Sequence, residues 1–428
     1  MWKRLQDGNT LNTLSVLALK VFGVFFLFGI TFFLTNNFDA YLVGQYDFTR
    51  SLLLIVGGLA VLGMNQSIIY YGGYLKAKNE LSSLRKVYFK MLGIILIFSC
   101  LIGLIYSFLP IKVIGLISED DEKRQLLLKV TFSLGFFAVM MLNFDTLRSL
   151  GYIKTSEVFK NVIRYIPFAL GAFYIYMINL EAYLVEVFLL NFVLLAFISS
   201  LYVIYLLQKI KSDSASYLIP TKSIIKRSYP MAIGFIAYIL LQSTDVLILS
   251  KLKGFEITAY YAVAVKIATG LSLVLLAVNT VIAPQIAQLF EEKEIERINQ
   301  IISKSTRLIF LLTFPIVLIL VLFGNSILDL FGENYNLSYW SLNILLIGQV
   351  VNAFFGPVGT YMNMTGKQQI QQLILILAVV INIVLNFVLI PIYSMEGAAI
   401  ATATTTILWN VAASRYVHQK DHVKTYLN

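Results

Sequence analysis

Residues 10–34 read TLNTLSVLALKVFGVFFLFGITFFL, twenty-five residues carrying one charge, Lys20. About 20 predominantly apolar residues cross a bilayer as a helix, so this stretch alone places the chain in a membrane. It follows MWKR at positions 1–4 and has no small-residue cleavage site, so it reads as a retained helix and not a removed signal peptide. Cutting the rest at charge clusters and at Gly, Pro and Asn turns gives further spans near 46–71, 87–109, 124–148, 156–178, 182–208, 228–251, 258–290, 306–324, 337–364, 369–392 and 396–417. That makes an all-α integral membrane protein with twelve transmembrane helices.

The whole composition agrees. The 428 residues are 58% hydrophobic, 14% aromatic and only 13% charged, with mean hydropathy +0.79. Soluble domains carry about 25% charged residues, so a soluble enzyme, a secreted disulfide scaffold and a disordered chain are excluded. The single cysteine, Cys100, leaves no internal disulfide or thiolate metal cluster. Both histidines, His418 and His422, lie in the tail, which excludes a buried histidine base or histidine metal site. The net charge of +10 reflects membrane orientation and not nucleic-acid binding. With the N-terminus in the cytoplasm, 24 Lys and Arg fall on the cytoplasmic side and 7 outside, while Lys20 and Lys266 lie within spans. That bias puts both termini in the cytoplasm.

The longest polar interruption, about 209–229, splits the chain into six spans and six. The expected domains are 1–212 and 213–428, two six-helix lobes related by a pseudo-two-fold axis along the membrane normal. Gly-plus-Lys turns at 150–154 and 365–367 occupy matching places in the halves. Apolar residues at Leu289, Ile295, Ile298 and Ile302 predict a short amphipathic surface helix within 284–302.

Charge within a bilayer is costly, about 2.5–3.5 kcal/mol at a helix centre on insertion scales, so charged residues in spans are candidates for function. Thr13, Lys20 and Thr31 share one face of helix one, and Arg50 opens helix two. In helix seven, Tyr238, Gln242 and Asp245 form a polar stripe at i, i+4 and i+7. Asp245 could carry a proton, help hold Na⁺, or neutralise Lys266 or Lys20. Lys266 shares a face of helix eight with Thr269 and Thr280. Helix ten carries Gln349, Asn352, Gly356, Thr360 and Asn363 on one side, with Pro357 predicting a kink. This stripe lines a cavity or joins helices by hydrogen bonds. Asp145 and Arg148 read as a local i, i+3 pair. Lys20, Arg50 and Lys266 face few buried acids, so a positive cavity fits an anionic substrate. No phosphate-binding G-x-x-x-x-G-K-[ST] loop is present. Energy must then come from an ion gradient (Na⁺ or H⁺), the membrane potential or consumption of product. No other cofactor and no metal site is expected.

Several segments carry a family resemblance: YLVGQY at 41–46, DVLILS at 245–250, YYAVAVK at 260–266, NTVIAPQ at 279–285, YMNMTGK at 361–367, NIVLN at 382–386 and LIPIYSMEGAAIAT at 389–402. In this order the chain resembles the bacterial O-unit and capsular polysaccharide flippases of the multidrug/oligosaccharidyl-lipid/polysaccharide flippase superfamily. The resemblance implies two lobes around a central cavity, alternating access, and no enzymatic activity. It implies movement of an undecaprenyl-pyrophosphate-linked oligosaccharide from the inner to the outer leaflet of a bacterial plasma membrane, for O-antigen, lipopolysaccharide or capsule synthesis. Its expected partners are the lipid-linked oligosaccharide, membrane lipids and other polysaccharide assembly proteins. Cavity cations of the lipid-flippase branch fall at Lys20, Arg50 and Lys266. Two are lysines, which keep the charge without the bidentate fork of arginine. Ser394 stands where related sequences often have glycine. An ion-coupled drug or metabolite antiporter of the same superfamily is the first alternative, but that branch relies on cavity acids. A membrane glycan polymerase or ligase is the second, and the longest outer loop, near 109–124, is short for one.

Overall fold

The computed structural model describes the backbone at 8–108, 121–210 and 219–427, and side chains from Ser15 onward. Thr13's side chain, 109–120 of the outer loop near 109–124, and 211–218 of the 209–229 linker lie outside the described residues.

The helices are α1 (Gly8–Asn37), α2 (Ala40–Val61), α3 (Met64–Ala77), α4 (Leu84–Phe108), α5 (Asp121–Ser149), α6 (Ile153–Val158), α7 (Ile166–Met177), α8 (Leu184–Lys209), α9 (Thr221–Lys253), α10 (Phe255–Gly270), α11 (Ser272–Glu291), α12 (Ile295–Asp329), α13 (Tyr339–Phe355), α14 (Val358–Met364) and α15 (Gln368–Asp421). Among the described residues, nine helical stretches are long and apolar enough to cross a membrane singly. The others are broken spans. α2 and α3 make one bent by 44° at Leu62 and Gly63, both at positive φ. α6 and α7 are joined through a π-helical turn, Phe159–Ile163. α15 holds two spans, separated at Ser394 (φ 50, ψ −125). Counted this way, the twelve expected spans are all present. Many of their large side chains, including Phe25, Phe132, Leu311 and Phe323, point outward. An exposed apolar surface of this kind suits lipid and not water, and helices satisfy their own backbone groups there.

The predicted surface helix at 284–302 is not a separate element. Pro284 to Glu291 complete α11, Lys293 turns at φ 59, and Ile295 begins α12. Ile286, Ile298 and Ile302 are fully buried in one core cluster with Val358, Tyr361 and Val417. Their helical spacing records packing inside the protein and not contact with a membrane surface.

The residues pack as two compact units. One gathers Thr31–Asp47 and Leu240–Asn428, the other Leu14–Ile30 and Phe48–Ile239. These packing units change over within α1, α2 and α9, and are a different division from the chain halves 1–212 and 213–428. In the second unit, Asn143 of α5 accepts from Tyr88 Oη of α4 (2.7 Å) and donates to Ser199 and Ser200 of α8 (2.9 Å each). Interhelical hydrogen bonds of this type hold apolar helices together where lipid offers no hydrophobic drive.

Candidate functional site

The second unit carries a charged cluster around the π-turn. Lys160 Nζ, within that turn, donates to Asp145 Oδ1 of α5, and Asn65 Nδ2 of α3 donates to Asp145 Oδ2 (3.2 Å). Buried Glu157 accepts from Asn161 Nδ2 (2.9 Å). α1 runs directly over this turn: a Cβ on Gly23 would come within 2.7 Å of Asn161 Cβ. Lys20, one turn earlier on α1 and half-buried, lies in electrostatic reach of Glu157, Arg148 and Lys160. Three cations thus share the neighbourhood of two carboxylates. π-turns are rare and recur at functional sites. The expected Asp145–Arg148 pair is replaced by Asp145–Lys160, because the π-turn brings Lys160 into α5 from the neighbouring helix. Lys160 and Glu157 escape sequence reading because they count as loop charges at the start of span five. Arg50 is half-buried on α2.

In the first unit, Lys266 is no open cavity cation. Its Nζ lies 2.7 Å from Asp47 Oδ1 and 2.9 Å from Oδ2, and the two side chains are 5% and 2% exposed. The Tyr46 ring lies 5.6 Å from the same Nζ. Asp47 sits at the start of span two, where an acid is cheap, so nothing local marks it as a partner 219 residues away.

Asp245 is buried and holds three hydrogen bonds. Tyr261 Oη (2.6 Å) and Thr402 Oγ1 (3.0 Å) donate to Oδ2, and the Val246 amide donates to Oδ1 (2.8 Å). Among the described residues of its own unit it has no ion-pair partner, and Lys266 is paired with Asp47 instead. Gln242 and Tyr238 are exposed, so the expected stripe on helix seven divides between two environments. Thr402 continues into a second polar group on α15. Thr405 Oγ1 donates to Thr402 O, Asn382 Nδ2 donates to Thr405 Oγ1 (3.2 Å), and Asn386 Nδ2 donates to Asn382 Oδ1 (2.9 Å). The buried Oδ1 of Asn386 has no hydrogen-bond partner among the described residues.

The helix-ten stripe is also divided. Gly356 (φ 57, ψ −139) and Pro357 break the span fully between α13 and α14. Before the break, Gln349 Oε1 accepts from Ser272 Oγ (3.2 Å) and Asn352 Oδ1 from Asn410 Nδ2 (3.3 Å). These two residues join helices. Beyond the break, Thr360 is half-buried and Asn363 exposed.

Known proteins share parts of the sequence and nearly all of the fold. The MatE family model matches residues 230–388. A Shigella flexneri protein named "Putative O-antigen transporter" is 30% identical over 166 residues, 38% of this chain and 39% of that one. The "Probable low-salt glycan biosynthesis flippase Agl15" of Haloferax volcanii is 26% identical over 142 residues, 33% of this chain and 30% of that one. The chain thus spans well under half the length of the curated relatives it matches. The lipid II flippase MurJ in an inward closed conformation superposes with a TM-score of 0.71 at 16% identity, over 96% of this chain and 88% of that one. Residues 230–388 thus match the MatE family model, and the chain as a whole has the twelve-helix fold of that flippase.

Proposed function

We propose that this protein is a flippase that moves an undecaprenyl-pyrophosphate-linked oligosaccharide from the inner to the outer leaflet of the bacterial plasma membrane, for surface polysaccharide synthesis. Both termini face the cytoplasm in this reading, following the distribution of basic residues. The observation that carries it is the cluster of Lys20, Arg148 and Lys160 against two carboxylates within membrane helices, an excess of positive charge that favours an anionic head group. Glycan-handling relatives support the same class. Lys20 and Arg50 are proposed phosphate contacts. Lys266 is a third proposed contact, reached when phosphate oxygens compete with Asp47 for its Nζ. Asp245 is the proposed ion-coupling residue, a buried carboxylate that Na⁺ or H⁺ would neutralise.

The same uncompensated Asp245 is the observation that favours the alternative, antiport of a cationic drug or metabolite by the same fold. Spheroplasts distinguish the two. Without the gene, lipid-linked glycan should accumulate shielded from an outer glycosidase or lectin. Restoring the gene should expose it, and Lys20→Ala should not. Unchanged exposure together with altered sensitivity to lipophilic cations selects antiport.

A further inference from the structure

The segment after α15 turns back along the protein and docks on the helix-ten break. His422 (φ 56) reverses the chain, its amide bonded to His418 O. Val423 and Thr425 are then fully buried. The Lys424 amide donates to Asn299 Oδ1 of α12 (3.0 Å), and Thr425 Oγ1 donates to Ser414 Oγ of α15 (2.9 Å). Tyr426 stacks on Phe354 at an interplanar angle of 12°.

The decisive contact follows from the chemistry of the break. Phe354 O would bond the amide four residues on, but the Val358 amide instead donates to Gly356 O (3.0 Å). The Phe354 carbonyl is taken up by the Leu427 amide at 2.8 Å. Thr306 of α12 closes the other side: its Oγ1 donates to Thr425 O (2.9 Å), and the side chain fills the space where a Cβ on Gly356 would stand, 2.3 Å from that oxygen. Beyond the break, Asp421 Oδ2 accepts from Tyr361 Oη (2.7 Å) and from Lys367 Nζ (2.9 Å). Residues 421–427 therefore grip both sides of one discontinuity.

We infer that residues 421–427 are a positioning segment that splints the Gly356–Pro357 break and sets the angle between α13 and α14. α13 carries Gln349 and Asn352, whose hydrogen bonds join it to Ser272 and Asn410, so the splint also sets where those helix contacts fall. A hinge is made of a few positions that absorb a backbone change far from the chemistry. The inference rests on contacts within one packing unit and does not depend on which substrate is carried.

The test is a spin-label distance across the break in the full chain. Labels at Ile347→Cys and Met364→Cys, in a Cys100→Ser background, flank it at exposed positions. Leu427→Pro deletes the amide that caps Phe354 O, while Leu427→Ala keeps it. Thr306→Val removes the hydroxyl from the other side, and serves as the second variant should Leu427→Pro fail to fold. The expected result is the parent distance for Leu427→Ala, and a shifted or broadened distribution for Leu427→Pro and Thr306→Val. Parent distributions in folded Leu427→Pro or in Thr306→Val overturn the inference. Transport measured alongside should fall severalfold in Leu427→Pro and not in Leu427→Ala, which separates loss of the splint from loss of side-chain packing.

Discussion

Lys266 and Asp47 show what a single residue costs in this molecule. Removing one partner of a buried ion pair leaves an uncompensated charge, at about 3–5 kcal/mol, whereas replacing both by apolar residues is nearly neutral. Lys266→Ala should therefore lower the thermal midpoint in detergent much more than Lys266→Met with Asp47→Leu. Equal losses would mean that the pair is not formed in the folded protein. Asp245→Asn keeps an acceptor for Tyr261 and Thr402 but sets an NH₂ against the Val246 amide, a mismatch of about 1–3 kcal/mol. Its expected outcome is a folded protein whose transport no longer responds to a Na⁺ or H⁺ gradient. Wild-type ion dependence in that variant rules out Asp245 as the coupling group. Both Lys266 and Asp245 were legible in the sequence because charge inside an apolar span stands out. Their partners were not. Asp47, Tyr261 and Thr402 are ordinary residues at their own positions and acquire meaning only through tertiary contact.

At the scale of elements, hydropathy located every span but not the breaks within them or the faces they bury. Lipid and protein interior are about equally apolar, so a helical wheel does not say which polar side chain points inward. Gln242 and Asp245 share a face by spacing, yet one is exposed and the other buried. The Pro357 kink was readable from proline alone, but its depth comes from Gly356 at positive φ and from the docked segment 421–427. The π-turn at Phe159–Ile163 leaves no composition signal at all. Ser394 offers a test at this scale. It divides α15 at φ 50, ψ −125, a conformation costing a side-chain residue about 1–3 kcal/mol and glycine little. Ser394→Gly should raise the thermal midpoint, and a lowered midpoint would show that the serine side chain contributes more than the backbone strain costs.

At the scale of the whole molecule, the twelve spans and the transporter fold were both readable, because bilayer thickness fixes helix length and each span must satisfy its own backbone. The charged residues of the interior were readable one by one and not in their arrangement. The sequence suggests three separate cavity cations; the structure holds Lys266 in an ion pair and adds Arg148 and Lys160 beside Lys20. That arrangement predicts graded effects: Lys20→Arg should preserve transport, since charge is kept and the phosphate fork gained, while Lys20→Ala should abolish it with little change in stability. The central claim is that this protein carries a lipid-linked glycan across the bilayer. The most direct measurement is accessibility of that glycan to an outer-surface glycosidase in spheroplasts lacking the gene, with and without the wild-type copy. The account predicts a protected intermediate that accumulates without the gene and becomes exposed when it is restored. Full exposure in its absence would contradict the account.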